Sequence, residues 1–443
     1  MDSVNTFALK SNKKIKINFD GGNLSSDAGL LLIKEFAAKI GFEDLVRQIF
    51  KTTDTATFRQ HTDADNLLQV IYQTMAAYHR DDHADELKSD PVMTAILNKD
   101  TLASQPTLSR FFNRMDENTL DQMNIILRMM RKTAYSVHPV EHMLLDLDST
   151  LLDTYGKQEG EAFNFHYQAH GYHPLLCYDC LTGDLLKAEL RNGSQYCSNG
   201  SGQFMESLLD ELHADFPDTL LYMRGDSGFA SPELYDVLEM KNCKYAIRLK
   251  ENSKLRQLAA EKDEALYKAV RHKGDSLAYA VEYGEFIYQA GSWDHPRRVV
   301  FKIEKPYGQF DHLYTFVVTT MEMEPAKILQ YYCGRGRMEN FIKEGKSGFG
   351  FGAVSSSSMI VNANRFQIHC LAYSLFNWFR RLVLPKNMRK HCIDTIRIKL
   401  LKVAARAVRG ARYIQYKLSS SCVYKQEFFN TLININELKV KIE

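Results

Sequence analysis

Residues 143–150 read MLLDLDST, a short apolar run interrupted by two aspartates at alternate positions. Strand side chains alternate between faces, so as a strand this segment places Asp146 and Asp148 on the same sheet face. Clustered carboxylates cannot all stay ionised without cations nearby. A fold that accepts this strand must therefore bury its leucines and bring positive charge to one face.

The flanking pattern supplies such a fold. Further strands are expected near 175–178 and 185–190, with Thr182-Gly183-Asp184 as the turn between them. A helix follows at about 202–214, a strand at 220–223, a helix opened by Ser231-Pro232, and a strand at 245–249. A hairpin meander followed by alternating helix and strand reads as an α/β core with a mixed sheet. Asp226, in the segment RGDSGFA, follows the 220–223 strand at its C-terminal end. From about residue 250 to 323, strands at 286–288, 298–303 and 313–318 form an antiparallel, β-rich insertion that interrupts this core.

At 443 residues the chain exceeds one hydrophobic core, so two or three domains are expected. The expected boundaries are 1–138 (mainly helical), 139–250 (first part of the core), 251–325 (insertion), 326–385 (second part of the core) and 386–443 (basic). A net charge of +2 means that any affinity for nucleic acid must come from uneven charge distribution. The eight cysteines lack zinc-site spacing and suit reduced thiols, with Cys177 and Cys180 as strand residues. No uncharged apolar run approaches the ~20 residues of a membrane span, which predicts a cytoplasmic protein without a membrane partner.

In the N-terminal region, residues 23–27 offer cap residues for an apolar-periodic helix closed by Gly41, and a second helix covers about 65–78. His79 to Asp85 reads as a solvated turn with local salt bridges or as a metal cluster. The Ser104-Gln105-Pro106 start opens a short basic helix carrying Arg110, which either enters a DNA major groove or belongs to a helical bundle. A long helix is expected at 362–382, with His369 as a core residue. The basic tail, including Lys386, Arg397, Lys402 and Arg406, either tracks a phosphate backbone or forms a solvated face.

Residues 332–346, YCGRGRMENFIKEGK, complete the pattern. On one α-helix Tyr332, Arg335, Glu339, Lys343 and Lys346 fall in a wedge roughly 80° wide, while Tyr331, Met338 and Ile342 face a core. Asp148, Asp226 and Glu339 are hard oxygen donors suited to Mg²⁺ or Mn²⁺, and two such ions can activate a nucleophile and stabilise the leaving oxygen of a phosphodiester.

With Tyr332, Arg335, Glu339 and Lys346 at these intervals, together with LDLDST, RGDSGFA, SSDAGLLL and SQPTLSRF, the chain resembles the DDE transposases of bacterial insertion sequences that carry the Tyr-Arg-Glu-Lys signature. The resemblance implies a ribonuclease H-like core, with Asp148, Asp226 and Glu339 as catalytic residues holding two Mg²⁺ ions, for which Mn²⁺ can substitute. Asp146 is a rival first ligand. It further implies that Tyr332, Arg335 and Lys346 contact DNA, with Lys343 on the same face. The partners implied are the terminal inverted repeats and target DNA, in a homodimer or larger synaptic complex of a bacterial, nucleoid-associated protein. A purely hydrolytic ribonuclease H-like nuclease and a non-catalytic DNA-binding derivative are the competing readings. Trp293 in the insertion either packs in a core or stacks a flipped base, as in some relatives. The glycine- and phenylalanine-rich residues 348–352 form either a mobile loop or a surface for an unpaired strand.

Overall fold

The aspartate-bearing segment becomes a central strand, β1 (His142–Ser149), in a computed structural model that describes residues 6–56, 58–272 and 277–440. Met143, Leu145 and Leu147 on one face and Leu144 on the other are all buried, as expected of a strand covered on both sides. The chain continues into β2 (Leu175–Asp179) and β3 (Asp184–Glu189), a hairpin whose turn uses Gly183 at φ 75°. Then follow α1 (Ser201–Asp215), β4 (Leu220–Gly225), α2 (Pro232–Met240) and β5 (Lys244–Leu249).

Within the sheet these strands lie in the order β3-β2-β1-β4-β5. β4 runs parallel to β1, with Met223 opposite Leu145, and β5 runs parallel to β4. β2 is antiparallel to β1, and β3 to β2. This is the ribonuclease H-like arrangement, a mixed sheet in which the first and fourth strands are adjacent and parallel.

The β-rich insertion contributes β6 (Ala280–Tyr288), β7 (Arg297–Lys305) and β8 (Leu313–Thr319). It does not fold as a separate layer. β8 pairs antiparallel with β5, Val318 opposite Ile247, and extends the core into an eight-stranded sheet. The reason is edge satisfaction: β5 would otherwise leave a row of backbone groups unpaired beside the buried Ala246 and Ile247.

The chain divides into two compact units, one formed by residues 138–343 and 354–363 and the other by 1–137, 344–353 and 364–443. The second is mainly helical. Its helix over Leu30–Lys39 is preceded by Gly29, and the predicted cap residues serve otherwise. Leu24 and Ser25 pair with Arg406 and Ala405 as a short strand. Asp27 is buried, accepting from the Tyr78 hydroxyl at 2.9 Å and pairing with Lys402 at 2.6 Å. Long-range pairing has here overridden local capping chemistry.

Other polar segments of this unit also resolve into structure. Asp81 forms a two-pronged ion pair with Arg365 at 2.8 and 3.0 Å, and Arg80 pairs with Asp82, so the 79–85 cluster is a salt-bridged turn. Phe349 and Phe351 are fully buried against Tyr373, so these rings do not present faces for base stacking. Arg397 of the basic tail is buried too, donating to the carbonyls of Met75 and Thr74 at 2.8 and 2.9 Å, and so serves packing rather than phosphate. Among the described residues, no helix is long and apolar enough to cross a membrane.

Candidate active site

Asp148 lies at the C-terminal end of β1, and Asp226 directly follows β4. Because the two strands are parallel neighbours, both carboxylates emerge at the same edge of the sheet. Short contacts fix each one. Asp148 Oδ1 accepts from the backbone N–H of Ser149 at 2.9 Å, and Asp226 Oδ1 accepts from that of Gly228 at 2.8 Å, capping a 3₁₀ turn over Ser227–Phe229. A Cβ on Gly228 would stand 3.0 Å from Asp226 Oδ1 and 3.1 Å from Cys197 Cβ, so a larger residue there would press on both side chains.

Asp146 shares the strand face, but its environment is different. It is wholly buried, and both its oxygens are held by Arg224, with Nε and Nη2 each at 2.7 Å. Burial raises its pKa while Arg224 pulls it down. The remaining Arg224 donor, Nη1, reaches the Tyr331 carbonyl at 2.6 Å. The arginine of RGDSGFA therefore ties β1 and β4 to the signature segment, and Asp146 is committed to that buried pair.

The signature segment is not one continuous α-helix. It consists of α3 (Pro325–Cys333), a 3₁₀ turn over Gly334–Gly336, and α4 (Arg337–Phe349). The uniform wedge expected at 100° per residue thus holds only within α4. Packing against Arg224 accounts for one of the two glycines, because a Cβ on Gly334 would lie 2.8 Å from Arg224 Nη1. Met338 and Ile342 are buried as expected, and Tyr331 and Tyr332 pack partly buried on Ala246, Val300, Val317, Ile328 and Leu329.

The turn delivers Arg335 to the aspartates. Its Nη2 donates to Asp148 Oδ2 at 2.7 Å and lies 3.5 Å from Asp226 Oδ2, so one nitrogen bridges both carboxylates. Burial pushes the Asp148 carboxyl up to about 6; Arg335 pulls it down, and the negative charges of Asp226 and Glu339 push it up. Arg335 Nε is buried and makes no hydrogen bond. Tyr332 is likewise raised by burial, with Arg335 opposing.

Glu339 lies exposed in the first turn of α4, and Lys343 is exposed one turn further on. Lys346, on the same helix, and Arg110, whose Nη2 donates to Thr107 Oγ1 at 3.3 Å, both belong to the mainly helical unit. Asp148 and Asp226 fit a hard divalent cation by donor chemistry, since both present carboxylate oxygens to one cationic position. Glu339 does not close a cluster around them: among the described residues no three His, Cys, Asp or Glu side chains are grouped to hold an ion.

Some features here had no signal in the sequence pattern. Ser149 Oγ donates to Cys197 Sγ at 3.3 Å, placing that thiol beside Asp148. The Tyr167 hydroxyl donates to the Ser149 carbonyl at 3.3 Å, and its pKa is pushed up to about 12 by burial and then by Asp148. Both residues come from irregular segments whose course depends on tertiary packing. Trp293, in contrast, is buried against Tyr235 and Tyr288, with Arg297 over its ring, and is a core residue of the insertion.

Residues 7–440 match the family model described as transposase DDE domain group 1. Among solved structures, the chain is similar to the piggyBac transposase synaptic complex with hairpin DNA, at 15% identity over 85% of this chain and 79% of that one, with a TM-score of 0.43. It is also similar to two Mos1 paired-end complexes, one with the left transposon end and one with Mn, each at 13% identity over 51% of this chain and 73% of the other, with a TM-score of 0.18. No curated protein matches it by sequence. The family match runs through the helical unit, both aspartates and the signature segment, and the chain belongs to the DDE transposases.

Proposed function

We propose that this protein is the transposase of a bacterial insertion sequence, excising its element and inserting it elsewhere by strand cleavage and strand transfer. The observation that carries the reading is the pair Asp148 and Asp226, set on neighbouring parallel strand ends and turned towards one cation. Asp148 and Asp226 would hold two Mg²⁺ ions, with Mn²⁺ as a substitute, and Glu339, which stands outside their cluster here but whose charge already reaches Asp148, would join them as third ligand on binding of the ions. Bound there, the ions would activate the attacking oxygen and stabilise the leaving one.

The protein's own groups then divide the remaining work. Arg335 balances the two aspartates in the metal-free protein and, once they take divalent cations, turns its guanidinium to a phosphate of the cleaved end. Tyr332, Lys343, Lys346 and Arg110 hold the DNA backbone. Terminal inverted repeats and target DNA are the partners, brought together by a homodimer or larger assembly on the bacterial nucleoid.

The test is Asp226→Asn, which removes a ligand oxygen's charge while leaving the shape of the turn. Mg²⁺-dependent nicking of a duplex bearing the element's end should be lost and binding to that duplex retained. Nicking at the wild-type level would take Asp226 out of the reaction. In the wild type, joining of the freed 3′-hydroxyl to a target plasmid separates a transposase from a nuclease that only hydrolyses.

A further inference from the structure

From Thr395 to Gln426 the sequence holds eight lysines and arginines and no aspartate or glutamate, and the reaction described above uses none of them. Three serve the packing of the mainly helical unit. Arg397 is buried, Lys402 pairs with Asp27, and Lys399 donates to His391 Nε2 at 2.9 Å. Four others, Arg406, Arg409, Arg412 and Lys417, lie on a β-hairpin of β9 (Ala405–Arg409) and β10 (Ile414–Leu418). Among the described residues none of these four stands in an ion pair.

The hairpin turns one face to the protein and the other to solvent. On the packed face Ala407 stands opposite Tyr416; Ala405 is buried, Tyr416 is half-buried, and the Tyr416 hydroxyl donates to the Pro91 carbonyl at 2.7 Å. Asp90, whose charge acts on Tyr416, is occupied in accepting from the Val92 and Met93 N–H groups at 2.9 Å. The alternate residues form the open face, where Arg406 stands opposite Lys417 and Val408 opposite Gln415, all four exposed. The Gly410 N–H donates to the Tyr413 carbonyl at 2.8 Å, closing a tip that carries Arg412 and an exposed Tyr413. One edge of the ribbon is anchored, since β9 pairs with Leu24 and Ser25 and the Ala407 N–H donates to the Asn23 carbonyl at 2.8 Å.

We infer that this ribbon enters the major groove of duplex DNA by its open face, with Arg406, Lys417 and Arg412 on phosphates and Gln415 on the edge of an adenine. The inference rests on the proposed transposase function and names a sequence-reading surface on the unit that does not carry the two aspartates. A two-stranded β-ribbon has the width the major groove admits. Cations without acidic partners repel one another, and a row of phosphates relieves that repulsion. Between the charged rung and the charged tip lies the Val408–Gln415 rung. A glutamine amide offers a donor and an acceptor together, matched to N6 and N7 of adenine, and a valine beside it suits a thymine methyl.

The experiment measures binding of the full-length protein to a duplex bearing the element's end and to a scrambled duplex of the same composition. Gln415→Ala should weaken binding to the end duplex about 5- to 100-fold, the range for one bidentate base contact, and leave the scrambled duplex unaffected. The double variant Arg406→Ala, Lys417→Ala should weaken both duplexes alike and flatten the slope of log K against log salt by about two. An end duplex made with 7-deazaadenine, which lacks the major-groove acceptor N7, should bind the wild type more weakly and Gln415→Ala no more weakly than before. Melting temperatures should stay at the wild-type value, because the three side chains are exposed. Equal loss on both duplexes in Gln415→Ala would overturn the base reading, and unchanged binding in the double variant would overturn the surface as a whole. Wild-type protein that binds neither duplex would refute the transposase reading itself, and the inference with it.

Discussion

Replacing Arg335 by glutamine should make the protein bind divalent metal more tightly while making it a poorer transposase. In the metal-free protein the guanidinium occupies the position between Asp148 and Asp226 at 2.7 and 3.5 Å, so an incoming ion must displace it. The Asp148 contact dominates, because both side chains are mostly buried, at 14% and 16% exposure. Asp226 is 38% exposed and its contact is long, so solvent screens most of its contribution. A charge-assisted hydrogen bond of the Asp148 kind contributes about 1.5–3 kcal/mol, and its removal as a competitor corresponds to roughly 10- to 100-fold in affinity. The assay is titration of Mn²⁺ followed by electron paramagnetic resonance, without DNA. It should be run at about pH 8.5, because losing Arg335 drives the Asp148 carboxyl above about 6 and protons then compete. Arg335→Lys, which keeps a cation, should fall between the two. Mn²⁺ affinity in Arg335→Gln equal to or weaker than wild type would refute the idea that the guanidinium competes for the site.

Two further outcomes follow from the geometry. Gly334→Ala should lower thermal stability by about 1–3 kcal/mol, because its Cβ meets Arg224 Nη1 and disturbs a buried charge pair, whereas Gly336→Ala, with nothing within 4 Å of its Cβ, should be neutral or stabilising by up to about 1 kcal/mol. Equal melting temperatures for the pair would contradict the packing explanation. The mainly helical unit should also be sensitive to acid. Burial lowers His79 to about 4 and His369 to about 3, so the unfolded chain binds these protons more tightly than the folded one. Their stabilising effect is complete above the ordinary value of about 6.5 and is lost as pH falls towards those lowered values, at about 2 kcal/mol per histidine by pH 5. Denaturant melts at about pH 7.5 and 5 should show the loss, and His369→Gln should reduce it; superimposable curves would count against the assignment.

The hydrophobic pattern determined which segments became strands and helices, because period and turn chemistry act over a few residues. The alternation of leucine and aspartate in 143–150 was enough to define β1 and the side on which its carboxylates lie. The 286–318 strands were legible for the same reason, but not that they would extend the core sheet, since strand pairing depends on which edge is left open. The family signature was legible from spacing alone. Yet the idealised helix drawn through it missed the 3₁₀ break, which exists because Arg224, more than 100 positions away, fills the space beside Gly334.

Only the tertiary structure distinguished Asp146 from Asp148. The two residues are equivalent in local pattern, and the difference lies in their partners: Arg224 takes both oxygens of the first, while Arg335, 187 residues along the chain, comes to the second. Sequence determined that carboxylates and cations had to meet at this sheet edge. Which cation meets which carboxylate was decided by the packing of distant segments, because a buried charge must find its partner in space rather than along the chain.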